Sequence, residues 1–291
     1  MSSVAAGTWL RPLRKFAKTP KGYALAGLIL LTLVAGLSPQ GHIGVIHAGL
    51  AVATAIVLDT VIARLLGRKL VVPAGGMITG LIVADVLSDL TSGLMVMLTV
   101  AIALASKHLL KRGRKPIFNP AALGLAISLA SMSTAQSWWA AMPLLSWWHV
   151  ALLLIVGVVV AVRTKKAWQV LAFLGTYFVE IWLLAIVPGI TVATSTAGDA
   201  LRTPFVNATL FLGFFMLTDP PTTPSRVREQ IGFAVLVATV SVVIFWQIGG
   251  LAYLLVGLLV GNLWTAWQAR RRKSHTGMKF SSETEVVAGS P

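Results

Sequence analysis

The sequence predicts an all-α polytopic membrane protein, and three observations carry that reading. Hydrophobic residues make up 56% of the chain and charged residues 11%, where a soluble domain carries about 25% charged residues. The apolar residues fall into about ten runs of helical length, and most charges sit between the runs. Of the 24 Lys and Arg, all but Arg202 fall on one side once the runs are threaded through a bilayer in order. Every helix of such a bundle satisfies its own backbone, which is why helices suit a hydrocarbon solvent.

The elements follow in chain order. Residues 1–21 form a basic tail carrying Arg11, Arg14, Lys15, Lys18 and Lys21. The first span covers roughly 22–38. Basic residues before an apolar run resemble a signal peptide, but nine more spans follow, so this one is read as an uncleaved first helix. The second span, roughly 43–63, holds Asp59 near its cytoplasmic end, where pairing with Arg64 or snorkelling is expected. The third and fourth cover roughly 73–88 and 91–107, and a basic loop runs from Lys107 to Lys115. The fifth, roughly 119–134, opens with Phe118, Asn119 and Pro120. Asn is a preferred helix cap and Pro a preferred first helical residue. The sixth to tenth spans cover roughly 148–162, 168–187, 204–218, 227–246 and 250–268. The eighth ends in Thr218, Asp219, Pro220 and Pro221, where proline stops the helix. Residues 269–291 are polar and expected to form a disordered cytoplasmic tail.

Basic residues mark the cytoplasmic face, so both termini are placed in the cytoplasm. The net charge of +15 therefore belongs to loops facing anionic lipid, not to nucleic-acid binding. The chain has no cysteine, which excludes disulfides, thiol catalysis and cysteine-ligated clusters. No hydrolase triad, zinc motif or phosphate loop is present.

Ten spans divide into two fives, about 22–134 and 148–268. An odd number per half gives the halves opposite orientation, an inverted repeat. The segments "GMITGLIVADVLSD" (76–89) and "ATLFLGFFMLTDPP" (208–221) occupy the third place of each half. Each has a central Gly, Gly80 or Gly213, and a later Asp, Asp85 or Asp219. These segments and "NPAALGLAISLASMS" (119–133) are short. About 15 residues rise about 22 Å, less than a hydrocarbon core of about 30 Å. Short, interrupted spans in matching places point to a binding site. The Asn119 turn and the Thr218–Asp219 turn reach the same membrane face from opposite halves. Together they could hold a polar, planar ligand at the bundle centre, or they could simply cap helices at a loop.

The stretches "LGFFMLTDPPTTPSR" (212–226), "KHLLKRGRKPIFNPAALGLAISL" (107–129), "MITGLIVA" (77–84) and, more weakly, "LLVGNLWTAW" (258–267) resemble the NqrB/RnfD family. Its members are membrane subunits of the sodium-pumping NADH:quinone oxidoreductase and of Rnf electron-transport complexes. The matches run in the family's order from about 70 to 270. The resemblance implies ten helices in two inverted repeats and a non-covalent flavin, riboflavin or FMN, near the two cytoplasmic turns. Asn119, Thr218 and Asp219 would contact it, with Phe118, Thr79 and Asn262 beside them. It also implies a bacterial inner membrane, redox partner subunits carrying NADH, iron–sulfur or further flavin sites, and contact with quinone. One departure stands out. The family's longer members attach a second flavin to a Thr in an S-x-A-T motif, and neither outer loop here contains that motif. The chain is thus similar to a shortened member without the covalent flavin.

Several further residues could carry chemistry. Glu180 lies inside the seventh span, where a carboxylate is a candidate ion or proton site or a hydrogen-bonded helix contact. His47 and His149 lie near the outer face on different helices, where a pair of histidines could ligate a haem. The pairs Trp138–Trp139 and Trp147–Trp148 suit an interfacial belt or a short outer helix lying in the headgroups. The alternative to an electron-transfer subunit is a transporter or channel for a small solute, since broken helices in inverted repeats also build transporters. The chain could also serve only to anchor a redox partner. The charge map makes a direct prediction: a reporter fused after Lys115 or Arg226 reads cytoplasmic, and one placed in 134–148 or 189–203 reads external. An external reading at Arg226 separates the two polar turns and removes the shared site.

Overall fold

A computed structural model of the chain describes residues 15–39, 41–67, 73–113, 115–142, 146–187, 196–202 and 205–288, with side chains described to Arg271 except that of Ala197. Ten α-helices of seven or more residues follow one another among them. They are α1 (Pro20–Ala35), α2 (Gly41–Leu65), α3 (Ala74–Val86), α4 (Gly93–Leu109), α5 (Pro120–Ser131), α6 (Trp147–Arg163), α7 (Ala167–Ile186), α8 (Phe205–Phe211), α9 (Val227–Ile248) and α10 (Tyr253–Ala288). They fall on the ten apolar runs. A two-residue hairpin, β1 (Lys111–Arg112) with β2 (Lys115–Pro116), pairs antiparallel between α4 and α5.

Local chemistry sets the helix ends. Thr19 caps α1 by accepting from Gly22 N–H at 3.1 Å, and Pro20 takes the first helical place. Ser92 caps α4 through Met95 N–H. Asn119 caps α5 through Ala122 N–H at 3.1 Å, again with proline next. Each side-chain oxygen satisfies an amide that the helix cannot reach. α8 does not end cleanly. It passes into a π turn, Leu212–Met216, where Leu217 N–H reaches back to Leu212 C=O at 2.8 Å. Such bulges recur at functional sites.

α2, α7 and α9 are each long and apolar enough to cross a membrane. Their apolar residues face outward: Val57 on α2 is 59% exposed and Val179 on α7 is 55% exposed. Exposed aliphatic stripes of this kind need an apolar solvent, and lipid supplies one. The short helices behave oppositely. α3 has 13 residues, and ten of them are buried. Every residue of the π turn is buried. At about 1.5 Å per residue α3 rises only about 20 Å, so its ends and neighbours are protein. α2 packs on α3 and α4, α4 on α5, α7 on α9 and α9 on α10, while α1 meets α6 across the middle.

The structure corrects two expectations. Asp59 pairs not with Arg64 but with Lys107 Nζ at 2.9 Å and His108 Nε2 at 3.2 Å. Five residues along a helix turn about 140° past the starting face, so Arg64 points elsewhere. Trp138 is not an interfacial anchor. It is 1% exposed, in left-handed backbone, with its ring edge-on to Phe211. Trp139 donates to Ala84 C=O at 2.7 Å and fills the space that Gly44 leaves. Trp147 keeps the exposed position expected of a belt, at 81%. The α10 backbone is helical to Ala288. No proline interrupts it before Pro291, and the helix already formed upstream spares it a new nucleus.

The α6–α8 contact depends on a missing side chain. A Cβ on Gly157 would lie 2.3 Å from the Phe214 ring in the π turn. Gly157→Val therefore costs about 1–3 kcal/mol or more by overpacking. It should lower the melting temperature of the detergent-purified protein by several degrees. Gly175→Ala, where a Cβ meets nothing within 4 Å, should leave that temperature unchanged or slightly raised.

Candidate functional site

A cavity of about 430 Å³ opens where the starts of α1, α3 and α5 meet the turn after α8. Its apolar wall includes Ala24, Ile78, Ile82 and Phe215. Pro20, Pro116, Pro120, Pro220 and Pro221 surround it. Its polar groups are Thr79, Asn119, Thr164, Thr218 and Asp219, and its cations are Lys21, Lys107 and Lys115. Lys21 and Lys107 converge on one point. Their ammonium groups stand 3.9 and 3.8 Å from where a Cβ on Gly75 would lie. That glycine leaves the helix start open beneath them.

One buried amide network shapes this cavity. Asn119 uses its Oδ1 to cap α5 and donates from Nδ2 to Met216 C=O at 3.2 Å, at the end of the π turn. Its own N–H donates to Asn262 Oδ1 on α10 at 2.8 Å. Asn262 Nδ2 in turn donates to Thr222 C=O at 3.3 Å. Gln169 Nε2 on α7 donates to Leu217 C=O at 2.6 Å. The carbonyls that the π turn and the prolines free are thus answered by amides from three other helices.

Thr79 and Thr218 give their hydroxyl protons to their own helices, at Gly75 C=O (2.9 Å) and Phe214 C=O (2.6 Å). Their oxygens remain as acceptors toward the cavity. Asp219 accepts from Thr222 Oγ1 at 3.0 Å. Asp219 is partly buried, and that burial raises its pKa, against the lowering pull of that hydroxyl and of Lys21, Lys166 and Lys107. The set therefore offers acceptors on the floor and cations at the rim. It suits a ligand with N–H donors and oxygen-rich substituents.

The predicted residues divide among three places. Thr79, Asn119, Thr218 and Asp219 line this cavity. Asn262 lies behind it, in the wall of a second cavity of about 470 Å³. Phe118 lines neither. Glu180 sits elsewhere on α7, where Thr239 Oγ1 of α9 donates to its Oε1 at 2.6 Å and its Oε2 has no partner. His149 Nδ1 contacts the Ser146 carbonyl at 3.1 Å. Among the described residues no group of three metal-ligating side chains forms. Of the outer-loop threonines that could anchor a flavin covalently, Thr194 and Thr203 lie outside the described residues, and Thr196 precedes a short 3-10 turn, Ala197–Leu201.

Sequence reasoning missed Lys21, Lys107 and Lys166, because a basic loop looks alike whether its lysines point to lipid or inward. It also placed Asp85 only as a repeat marker. Asp85 is 1% exposed and accepts from Thr32 Oγ1 at 3.0 Å. No family model matches this chain, and no curated protein matches it in sequence.

Lys166 is 4% exposed and donates to the Pro224 carbonyl. Burial lowers its pKa from 10.5 to about 8, with Asp219 opposing the shift and Lys115 adding to it. Above pH 8 the folded chain releases this proton while the unfolded chain still holds it. Folding stability should therefore rise from about pH 8 toward pH 10.5. Melting temperatures of ligand-free protein should climb across that window, and Lys166→Met should flatten the climb.

Proposed function

We propose that this protein is a flavin-binding integral membrane subunit of an electron-transfer system of the RnfD/NqrB type. On this reading α1–α5 and α6–α10 are two inverted five-helix repeats in a bacterial inner membrane, with both termini cytoplasmic. Two contacts support that pairing: α1 meets α6, and α5 meets α10. These are the equivalent first and fifth helices of the two halves. The observation that carries the function is the cavity at their junction, where the Asn119 cap of one half is bonded to the Met216 turn of the other.

The residues present fit a flavin ring. A volume of about 430 Å³ lies within the range of about 300–1,000 Å³ usual for small-molecule sites. Ile78, Ile82 and Phe215 supply apolar walls. Thr218, Thr79 and Asp219 supply acceptors for ring N–H groups, and the rim lysines supply donors for ring carbonyls. The flavin, when bound, would take up and pass on electrons. The chain itself would orient the ring, exclude water around it and set the charge beside it. Asp219, partly buried and held by Thr222, would place negative charge or a carboxylic proton at the ring edge. Lys21 and Lys107 would favour electron-rich states of whatever lies beneath them. Partner subunits bearing NADH, iron–sulfur or further flavin sites would deliver and remove the electrons, and quinone is a candidate acceptor. The rival reading is a transporter for a small solute, possibly a flavin, through the same cavity.

Flavin released per mole of purified protein tests the proposal. A hydrogen bond to a charged group is worth about 1.5–3 kcal/mol, so Asp219→Ala should weaken flavin binding about ten- to a hundredfold. Asn119→Ala should weaken it about three- to tenfold. It should also lower thermal stability, because the same residue ties α5 to the π turn and to α10. Glu180→Gln, remote from the cavity, should leave flavin content unchanged. Wild-type protein that neither carries nor takes up flavin would sink the proposal, and solute uptake lost in an Asp219→Ala protein of full flavin content would establish the transporter.

A further inference from the structure

The second cavity has a different character from the first. The two share Lys115, Pro116, Thr164, Pro220 and Pro221 as a common wall. The second holds Arg112, Lys115, Lys165 and Lys166 against one acid, Glu229. That acid is already engaged by Arg226, at 3.8 Å. Lys166 is the telling residue. It is 4% exposed, and lysine is almost never fully buried unless paired. Among the described residues its ammonium has a hydrogen bond to one neutral acceptor, the Pro224 carbonyl, and no carboxylate within ion-pair distance. A buried cation with no ion-pair contact, and only Asp219 acting on it at longer range, is expensive, and a ligand anion lowers that cost. Gln230 lines the same cavity, 3% exposed. Its Nε2 donates to the Ser225 carbonyl at 3.1 Å, and its Oε1 has no donor. A ligand hydroxyl could supply that donor.

We propose that this second cavity is a phosphate subsite with Lys166 as its central ligand, and that the molecule bridging the two cavities is a flavin monophosphate rather than riboflavin. The identity of the ring rests on the flavin reading above; the anion subsite stands on Lys166 and its surroundings. The ring lies among Ile78, Ile82 and Phe215, the polyol passes the wall at Pro220–Pro221, and the phosphate meets Lys166, Lys115 and Arg112. Arg112 already donates to the Ala266 carbonyl of α10 at 2.7 Å, which fixes its guanidinium at the cavity wall. The exposed lysines at the mouth of the first cavity do not make this distinction, since exposed cations also serve anionic lipid. Lys166 cannot reach lipid from its buried place.

The test uses detergent-purified full-length protein freed of bound flavin, with riboflavin, FMN and inorganic phosphate as probes. Wild-type protein should bind FMN about tenfold or more tightly than riboflavin, as one buried charge-assisted contact allows. Lys166→Met should bring FMN down to the riboflavin level and leave riboflavin within about threefold of wild type. Lys115→Gln, at an exposed position, should cut the preference for FMN by about threefold and keeps the test open if Lys166→Met fails to fold. Phosphorus-31 line broadening of inorganic phosphate should appear with wild type and vanish with Lys166→Met. Equal affinity of wild type for the two flavins, or a preference for FMN that survives both substitutions, overturns the phosphate subsite and leaves the flavin reading intact. Phosphate binding that depends on Lys166, with neither flavin bound, keeps the subsite and removes the flavin reading. Phosphatidylglycerol that displaces inorganic phosphate at lower concentration than FMN does would assign the subsite to lipid and overturn the proposal.

Discussion

The Asn119 side chain is the contact on which the rest of the arrangement depends. It caps α5 and holds the end of the π turn after α8, while the residue's backbone N–H donates to Asn262 Oδ1 of α10. A cap alone contributes about 1 kcal/mol. Here the same amide also satisfies a carbonyl that a helix interrupted by proline leaves buried. An unmet carbonyl in an apolar bundle costs as much as a lost hydrogen bond or more. Interrupted helices are tolerable at this depth because amides from other helices meet them.

That constraint explains where the space is. A continuous eighth helix would carry its backbone bonds inside itself and pack flush against its neighbours. The π turn and the paired prolines instead stop it early, and the chain turns through Thr218–Thr223. The volume left over becomes the two cavities, with Pro220–Pro221 between them. Gly157 and Gly213 let α6 and α7 approach the stopped segment closely, since Phe214 and Phe173 occupy the places their side chains would take. Tight packing on the apolar side and open volume on the polar side are thus two consequences of one break.

Charge is distributed to match. Lys107 is balanced by Asp59, and Asp219 lies within electrostatic reach of Lys21, Lys166 and Lys107. Lys166 has no ion-pair partner of its own among the described residues. Around one turn the structure therefore holds a carboxylate that burial holds toward its neutral form and an ammonium that burial holds toward its neutral form. Both would change charge state more readily than an exposed Asp or Lys. Such poised groups are the usual companions of a site where charge arrives and leaves.

The sequence by itself determined the helical class, the order of the elements and the polar turns. Those features are local: apolar runs set helices, Asn119–Pro120 starts one, and Asp219–Pro220–Pro221 stops another. The polar turns also named Asn119, Thr218 and Asp219 as neighbours, and the family resemblance added Thr79. The tertiary structure alone decided the rest. It buried Trp138 and sent Asp59 to Lys107, because partners 48 residues apart in the chain leave no periodic trace. It set Asn262 behind the site and Phe118 outside both cavities, because facing depends on helix rotation and not on proximity in the chain. Above all it turned Lys166 inward. A lysine in a basic loop reads the same whichever way it points, and only packing separates a cation that faces lipid from one that faces a cavity.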